Sequence, residues 1–400
     1  MRTFVKKITE DLYLLRIDDD QTKYFEALWS IPEGVTYNAY LLITSDKVVL
    51  FDSWKRTYEN EFIKCLEKVV DLKDIDYIVI HHMEQDHSGA IPKVLEINGN
   101  KAEVWGHPLV KKMLESFYGI SPKFKALADG EEISVSGKKL QFIHTPWLHW
   151  PETIMTFISD DQILLSGDAF GGFSTPPTII DDEKVVSEYL EHVRKYVVTI
   201  VGHYSEHILK AVEKLRTSGL TFKIIAPAHG LVFKNNPGLI VDYFVKLAKG
   251  IPEKNKIVVV YSSMYGSVEK AILAAVEELE KNNFKPVIYK FTDTEQSNIG
   301  DAISNIVDAQ AVIIGAATYE GDVFPYIRYL LDLLDKKVKL EKSVLVISSY
   351  GWGGVAGLKI SKKLSESGFK VVDKIEFHGQ PSESDLENVK RSVRSLIKID

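Results

Sequence analysis

The sequence predicts an α/β protein of two domains, a layered α/β sandwich followed by an open, doubly wound parallel sheet. In the first part of the chain, short apolar runs alternate with amphipathic helical stretches. A turn-forming, charged stretch, Lys249–Asn255, then interrupts this pattern. Beyond it, strands and helices alternate regularly, as expected for a parallel sheet covered on both faces. We therefore place the domains at residues 1–252 and 253–400.

In the first domain, β-branched and aromatic runs bounded by turn-forming residues predict the strands, and apolar residues at helical spacing predict the helices. The strands are Tyr13–Ile17, Tyr40–Thr44, Val48–Phe51, Tyr77–Ile80, Leu140–His144, Thr153–Ile158 and Gln162–Ser166, and the clearest helices are Pro108–Phe117 and Glu206–Ser218. Cys65 is the only cysteine, which excludes an internal disulfide and a thiolate-bound metal. It lies in a helix-like stretch, Glu59–Val70, and we expect it to be a core residue.

The second domain repeats one unit, a β-branched run followed by an amphipathic helix. Its predicted strands and helices are, in order, Ile257–Tyr261, Val268–Asn282, Lys285–Tyr289, Ile299–Val307, Ala311–Gly315, Pro325–Leu334, Ser343–Ser348, Leu358–Ser367, Lys370–Glu376 and Glu383–Ile397. In such sheets ligands bind beyond the carboxyl ends of the strands. The loops after Tyr261, Gly315 and Ser348 are therefore the expected binding loops.

Composition narrows the class of partner. The chain has 45% hydrophobic and 26% charged residues, which is ordinary for a globular protein. Its net charge is −7 and it contains no long Lys/Arg block, so nothing indicates nucleic-acid or membrane-surface binding. The N-terminus lacks an apolar signal segment, and no window approaches the roughly 18 apolar residues of a membrane span. We expect a cytoplasmic protein whose partners are small molecules or proteins.

A dense group of potential metal ligands follows the predicted strand Tyr77–Ile80. From His82 the sequence reads H-x-E-x-D-H, which differs from the H-x-H-x-D-H motif of metallo-β-lactamase-like hydrolases in having Glu84 at the second histidine position. Additional carboxylates favour iron or manganese, whereas zinc hydrolases favour imidazole and thiolate ligands. The substitution therefore indicates redox chemistry.

Three later segments supply further ligands, each after a strand-like run. They are the segments around His149, Asp168 and His229, which follow in the order of the hydrolase pattern. Three carboxylates with two divalent ions would leave one positive charge, which a bridging hydroxide would neutralise. The predicted metal ligands of a two-metal site are His82, Glu84, Asp86, His149, Asp168 and His229.

The histidines outside this set of six ligands have other expected roles. His87 is either a metal ligand or a hydrogen-bond donor beside one; we favour the donor and keep His87 among the candidate catalytic residues. His81 and His144 are not expected to bind metal, because His149 follows the Thr-Pro turn as the third histidine of the pattern does. The other histidines lie outside the motif loops and are expected at the surface or behind the ligands.

Three loops of the second domain suit a flavin. The first is rich in small and hydroxyl residues and precedes a helix, so that its amides would bind a terminal phosphate. The other two place aromatic residues beside glycines, as stacking on a flat ring requires. The candidate FMN-binding residues are Ser263, Met264, Tyr265, Gly266, Ser267, Val268, Ala317, Thr318, Tyr319, Glu320, Ser349, Tyr350, Gly351, Trp352, Gly353 and Gly354.

With both sets of motifs, nearly the whole chain resembles the flavodiiron, or A-type flavoprotein, family. The resembling segments are Phe25–Trp29, Gly34–Leu41, His82–Gly89, His149–Pro151, Gly167–Gly171, Ala228–Gly230, Ser263–Gly266 and Ser349–Trp352. The resemblance implies a metallo-β-lactamase-like αββα domain with a non-haem diiron centre, and a flavodoxin-like domain with FMN. This sequence departs from the family pattern at two positions, with Val268 where the family often has Thr and Ala317 where it often has Pro. We expect these differences to change the affinity for FMN but not the choice of FMN as the flavin.

The resemblance also implies residue roles and partners. His82, Glu84 and His149 would bind one iron, and Asp86 and His229 the other, with Asp168 bridging. Family members reduce dioxygen to water, nitric oxide to nitrous oxide, or both, as head-to-tail homodimers or dimers of dimers. Electrons reach the flavin from rubredoxin or a flavin or rubredoxin reductase. The sequence ends at Asp400 without a fused donor module, so we expect a separate donor protein.

Two alternatives remain open from the sequence. One is a zinc hydrolase of the same superfamily, in which the metal activates water. The other is an electron carrier that uses only its flavin domain and performs no gas chemistry. Glu84 and the second domain oppose the hydrolase, and the complete set of metal ligands opposes the carrier.

Overall fold

The computed structural model describes residues 1–398, which form two compact units. The first unit comprises residues 1–196 and 206–245, and the second comprises residues 197–205 and the chain from Lys246 onward. None of the helices in residues 1–398 combines the length and the apolar character that crossing a bilayer requires.

A mixed, seven-stranded sheet forms one layer of the first unit. The strands between the N-terminus and Ala126 are β1 (Arg2–Lys7), β2 (Leu12–Asp19), β3 (Tyr24–Phe25), β4 (Trp29–Ser30), β5 (Val35–Ile43), β6 (Val48–Phe51), β7 (Tyr77–Ile80), β8 (Glu103–Gly106) and β9 (Phe124–Ala126). Their order in the sheet is β1-β2-β5-β6-β7-β8-β9, and β3 and β4 form a separate hairpin. The strands are antiparallel from β1 to β6 and parallel from β6 to β9.

A second sheet packs on the first. It contains, in order, β10 (Glu132–Val135), β11 (Lys138–His144), β12 (Ile154–Ile158), β13 (Ile163–Gly167) and β14 (Ile224–Pro227), antiparallel except for the parallel pair β13 and β14. Buried residues of both sheets, including Phe51 and Val79 of the first and Phe142 and Leu165 of the second, share one apolar cluster. This shared core confirms the predicted sandwich.

Helices follow or connect the strands of the first unit. They are α1 (Glu59–Leu66), α2 (Gln85–Ser88), α3 (Ile91–Asn98), α4 (Pro108–Tyr118), α5 (Glu183–Tyr196), α6 (Ser205–Thr217) and α7 (Pro237–Ala248). Helix α1 packs against β1 and β2, and α4 packs against β8 and β9. Cys65 lies in α1 and is buried, as predicted.

The second unit is a parallel sheet with one short antiparallel strand. Its elements are β15 (Lys256–Ser262), α8 (Ser267–Lys281), β16 (Lys285–Phe291), α9 (Ile299–Val307), β17 (Ala311–Tyr319), β18 (Asp322–Val323), α10 (Pro325–Lys337), β19 (Ser343–Tyr350), α11 (Ala356–Glu366), β20 (Lys370–His378) and α12 (Glu383–Leu396). The parallel strands lie in the order β16-β15-β17-β19-β20. Chain order reverses between β15 and β17, which is the point where doubly wound sheets bind ligands.

Both faces of this sheet are covered. Ile257 and Val259 of β15 join α8 and α12 in one apolar cluster. Val258 and Val260 alternate with them on the opposite face and are also fully buried. Helices α9 and α10 contact β15 and each other. The near-continuous apolar run of β15 follows from burial on both sides.

The sequence predicted the second domain's helices and five main strands to within a few residues, but it missed β18. Strand β17 continues through Ala317–Tyr319, which were predicted as loop, and pairs with β18 in a tight hairpin. Glu320 and Gly321 form the turn with φ of 49° and 72°. In the first domain, the strands that the sequence did not single out include the hairpin β3/β4 and the short edge strands β9 and β10, whose residues are mostly half-buried or exposed.

Candidate metal centre and flavin cavity

The predicted metal ligands lie at the ends of strands in the first unit. His82 and Glu84 follow β7, and Asp86 is the second residue of the short helix α2. His149 lies between β11 and β12, and Asp168 and His229 follow β13 and β14. The structure brings all of these predicted residues together into two adjacent groups.

The first group contains His82, Glu84, His149 and Asp168. The Glu84 Oε2 lies 2.9 Å from the His149 Nε2 and 3.3 Å from the His82 Nε2. The Asp168 Oδ2 lies 3.5 Å from the Nε2 atom of each of these histidines. Two imidazole nitrogens and two carboxylate oxygens therefore point at one small volume.

The second group contains Asp86, His87 and His229. The Asp168 Oδ1 lies 2.9 Å from the His87 Nε2 and 3.2 Å from the His229 Nε2. The Asp86 carboxylate is 3.5 Å from the His229 Nε2 and 3.6 Å from the His87 Nε2. Asp168 thus presents one oxygen to each group, which is the arrangement that a carboxylate bridge between two metals requires.

The donor set fits metal ions better than a network of hydrogen bonds. Within residues 1–398, both carboxylate oxygens of Asp86 and of Asp168 and the Nε2 of His87 are buried, and although they lie close to one another, their angles do not suit a hydrogen bond. Such buried orphan atoms are costly unless another partner satisfies them. Carboxylates and imidazoles without any thiolate are ligands that suit iron. The residues present therefore fit a pair of non-haem irons.

The charges of the two groups support the same reading. Burial opposes ionisation of Asp168, but His87 and His229 hold its pKa well below the usual range. Burial disfavours a charged His87, yet the Asp168 and Asp86 carboxylates raise its pKa to about 10. For Asp86 burial prevails and the pKa is raised. The carboxylates thus favour protonated, positively charged imidazoles. Bound metal cations would supply this positive charge in place of the protons.

Two of the ligand histidines are oriented through their other ring nitrogen. The His82 Nδ1 lies 2.8 Å from the Glu152 Oε1, and the His229 Nδ1 lies 2.7 Å from the backbone carbonyl of Thr36. Burial alone would raise the pKa of Glu152, but the hydrogen bond and charge of His82 lower it, so Glu152 is an anion. Glycine is required after His229, because at φ 81° a Cβ on Gly230 would lie 1.7 Å from the Tyr189 hydroxyl.

His81 and His144 do not join either group, as the sequence predicted. The His81 Nδ1 lies 2.7 Å from the Asp52 Oδ2 and its Nε2 lies 2.8 Å from the Thr156 hydroxyl, so both ring nitrogens are engaged elsewhere. The His144 Nε2 lies 3.1 Å from the carbonyl of Leu127. The His87 Nε2 lies 2.9 Å from the Asp168 Oδ1, a position that suits both the hydrogen-bond donor that the sequence favoured and a metal ligand.

Aromatic rings surround the two groups. Trp150 packs edge-on against His82 with ring centroids 4.9 Å apart, and Tyr196 lies 5.7 Å from His229. Burial and the neighbouring Asp168 raise the pKa of Tyr196 well above its usual value, so its hydroxyl keeps its proton. Trp147, by contrast, is 37% exposed and packs near His207.

Sequence reasoning missed Glu152 and Tyr196. Glu152 directly follows the His149–Pro151 motif, and a carboxylate at the start of a fully buried strand is a signal that could have found it. Tyr196 lies at the end of helix α5, far from any motif, and no sequence feature pointed to it.

In the second unit, the three predicted flavin loops line one cavity of about 500 Å³. The predicted residues that line it are Met264, Tyr265, Ser267, Ala317, Thr318, Tyr319, Glu320, Ser349, Tyr350, Gly351, Trp352 and Gly353. Two of its aromatic side chains are almost fully exposed, Tyr265 at 90% and Trp352 at 95%. The Thr318 hydroxyl accepts hydrogen bonds from the amides of Val355 and Ala356 and so ties two loops together.

Four predicted flavin residues do not line this cavity. Val268, the second residue of α8, is buried in the core and lies close to Gly315 of β17. The Ser263 hydroxyl accepts a hydrogen bond from the amide of Glu269. Gly266 precedes helix α8 with φ 81°, and Gly354 packs against Tyr350. These residues shape the loops rather than line the cavity.

The two units define a class of protein, a metallo-β-lactamase-like domain followed by a flavodoxin domain. The sequence-family model described as "ODP family beta lactamase" matches residues 35–230, and the family model described as "Flavodoxin" matches residues 259–392. A variant of the flavo di-iron protein from Thermotoga maritima is 40% identical with a TM-score of 0.93, covering 99% of this chain and 98% of that one. The chain belongs to the flavodiiron protein family.

Curated relatives of known name match this chain over most of their own length. A protein named nitric oxide reductase from Moorella thermoacetica is 30% identical over 91% of this chain and 90% of its own length. A protein named rubredoxin-oxygen oxidoreductase from Megalodesulfovibrio gigas is 28% identical over 98% of this chain and 97% of its own length. Each matching region spans both units.

Proposed function

We propose that this chain is an oxidoreductase that passes electrons from FMN to a non-haem diiron site and reduces dioxygen to water, nitric oxide to nitrous oxide, or both. The observation that carries the proposal is Asp168, whose two oxygens face two separate groups of ligands. A cavity of about 500 Å³ in the same chain, lined by the three predicted flavin loops, supplies the second half of the argument. When bound, FMN supplies single electrons and the iron pair supplies the redox-active metals.

The two groups of side chains support one ligand assignment. His82, Glu84 and His149 would hold one iron and Asp86 and His229 the other, with Asp168 available to both. His87 lies beside the second iron, where it either completes the ligand set or donates a hydrogen bond. Trp150 and Tyr196 limit the access of water to the imidazoles. Tyr196 also holds a proton next to Asp168.

The flavin would be held by the second unit. The amides at the start of α8, with the hydroxyl groups before it, suit a terminal phosphate. The buried Ser262 hydroxyl at the end of β15 has no hydrogen-bond partner within residues 1–398, which leaves it available to a ligand. Tyr265 and Trp352 offer faces for stacking on the flat ring system.

Several finer points are part of the proposal. A rubredoxin-type protein or a flavin or rubredoxin reductase serves as electron donor. The chain works as a head-to-tail homodimer or a dimer of dimers, which the exposed Tyr265 and Trp352 beside the flavin cavity support. The boundary between the domains after Pro252 and a cytoplasmic location stay predictions from the sequence.

Anaerobic purification followed by iron, zinc and flavin quantitation tests this proposal. We expect about two irons and one FMN per chain, without esterase or thioesterase activity. Zinc in place of iron, together with hydrolysis of an ester or thioester, would replace the proposal with the hydrolase. Flavin without any bound metal would favour the electron carrier.

A further inference from the structure

Glu152 forms a carboxylate–histidine pair behind one of the two groups of metal ligands. It lies just before β12, its side chain is fully buried, and its Oε1 is 2.8 Å from the His82 Nδ1. The same oxygen accepts a hydrogen bond of 3.0 Å from the backbone amide of Met83. Side chain and backbone of the ligand loop are therefore both fixed by a single carboxylate.

The pair determines which nitrogen of His82 faces the metal group. A carboxylate can only accept hydrogen bonds, so the proton must lie on the Nδ1 of His82. The Nε2 is the nitrogen that lies 3.3 Å from Glu84 and 3.5 Å from Asp168, so a metal bound between these carboxylates would take its lone pair in place of a second proton. The histidine is held in the tautomer that metal binding needs.

The second group of ligands has a different kind of partner. The His229 Nδ1 lies 2.7 Å from the Thr36 carbonyl, which is neutral. Of these two buried ligand histidines, one is thus backed by a full negative charge and the other by a backbone dipole. A negative partner makes the imidazole a stronger donor and favours the more positive state of a bound metal.

We propose that Glu152 is a positioning residue that fixes His82 for metal binding and lowers the reduction potential of the iron on that side of the site. This inference rests on the proposed diiron function. It also predicts that the two irons differ in reduction potential, because His82 on one side is backed by a buried anion and His229 on the other by a backbone carbonyl.

The chain contains a matched control next to this pair. Asp52 accepts hydrogen bonds from the Nδ1 of His81 at 2.7 Å and from the His81 backbone amide at 2.8 Å. It is as buried as Glu152 and also backs a histidine of the same loop. His81, however, belongs to neither group of metal ligands and turns its Nε2 to Thr156. Asp52→Asn therefore tests a buried carboxylate–histidine pair that does not act on a metal.

The experiment compares Glu152→Gln with Asp52→Asn in the full-length holoprotein. We expect Glu152→Gln to weaken iron binding by about 10- to 100-fold, to raise the midpoint potential of one step of diiron reduction, and to leave FMN content unchanged. Asp52→Asn is expected to lower thermal stability without changing either iron property. Unchanged iron affinity and potential in Glu152→Gln, or equal changes in both variants, would overturn the proposal.

Two further measurements keep the outcomes separate. Glu152→Asp keeps the charge but shortens the side chain, so its potential is expected to stay nearer to the wild type than that of Glu152→Gln; the reverse order would contradict a charge effect. If the wild-type chain itself binds no iron, the proposed function fails before any variant is compared. If it binds two irons and Glu152→Gln matches it in every iron property, only this inference fails.

Discussion

Single side chains in this protein are placed by chemistry that the sequence partly reveals. The motif from His82 to Asp86, followed by His149, Asp168 and His229, identified the candidate ligands because these residues recur in a fixed order after apolar strands. Glu152 could not be identified in this way. Its role depends on a side-chain contact across 70 residues of sequence, which only the folded chain reveals.

Asp168 is the residue on which the two-metal arrangement depends. We expect Asp168→Ala to lose most of both irons while FMN content stays near one per chain, because one carboxylate oxygen faces each group of ligands. Iron and flavin quantitation of the purified variant measures this directly. His87→Asn is the comparison, and it should keep more iron because Asp86, Asp168 and His229 remain on its side. Full iron content in Asp168→Ala would contradict a shared ligand.

Buried Lys342 in the second unit makes the stability of the protein depend on pH in a way that does not involve the metals. Its Nζ donates to the carbonyls of Gly250 at 2.9 Å and Ala309 at 2.8 Å, and burial lowers its pKa from 10.5 to about 8. Between these values the folded state binds fewer protons than the unfolded state, so this lysine's contribution to stability rises with pH.

We therefore expect the unfolding free energy of the wild type, relative to Lys342→Met, to increase from pH 8 to pH 10. The slope should not exceed about 1.4 kcal/mol per pH unit. Urea denaturation at several pH values measures it, with the exposed Lys339→Met as the control that should show no such trend. A difference that is flat or falls with pH would show that Lys342 stays charged in the folded protein.

At the scale of elements, the period of apolar residues predicted most of the architecture. The central strands β15, β17 and β19 were clear because they are buried on both faces, and the half-exposed edge strands β16 and β20 were recognised from their place in the β-α alternation. Hairpin β17/β18 was missed because its second strand has only two residues, too few to show a period. The flavin loop there is partly a strand, which makes its position more rigid.

Substitution of Thr318 tests whether the link between two loops is needed for the flavin cavity to bind FMN. It accepts hydrogen bonds from the amides of Val355 and Ala356 at the start of α11. Thr318→Val keeps the shape but removes the acceptor, at a cost of about 1 kcal/mol, so we expect FMN to dissociate about fivefold more readily.

Titration of the apoflavin protein with FMN measures the effect of Thr318→Val, and iron content should not change. Thr217→Val serves as the matched control, because the Thr217 hydroxyl bonds only within its own exposed helix turn, to the carbonyls of Glu213 and Lys214. Equal FMN affinity in both variants would show that the link between the loops is unimportant for binding.

At the scale of the whole molecule, the sequence located two domains but not the path of the chain between them. Residues 197–205 group with the second unit although they lie far before Lys246 in sequence. The segment Val197–Val201 is apolar except for Thr199 and has no period that would assign it to either unit. Composition reveals that such a segment is buried, but not against which partner.

The two units provide separate optical signals for a test of metal binding. All tryptophans except Trp352 belong to the first unit, and Trp352 is 95% exposed. Removing iron with a chelator should lower the melting temperature seen by tryptophan fluorescence and leave the temperature of flavin release unchanged. At a free iron concentration of about 100 times Kd, the lost stabilisation is about 2.7 kcal/mol. Equal shifts in both signals would contradict independent units.

The central claim is that electrons from the flavin reach a gas-reducing diiron site. Its most direct test is stopped-flow mixing of the anaerobically reduced protein with nitric oxide or dioxygen, comparing the wild type with Asp168→Ala. We predict rapid flavin reoxidation by at least one gas in the wild type and a rate at least about 100-fold lower in Asp168→Ala. Equal reoxidation rates in the two proteins, or a reduced wild type that reacts with neither gas, would contradict the claim.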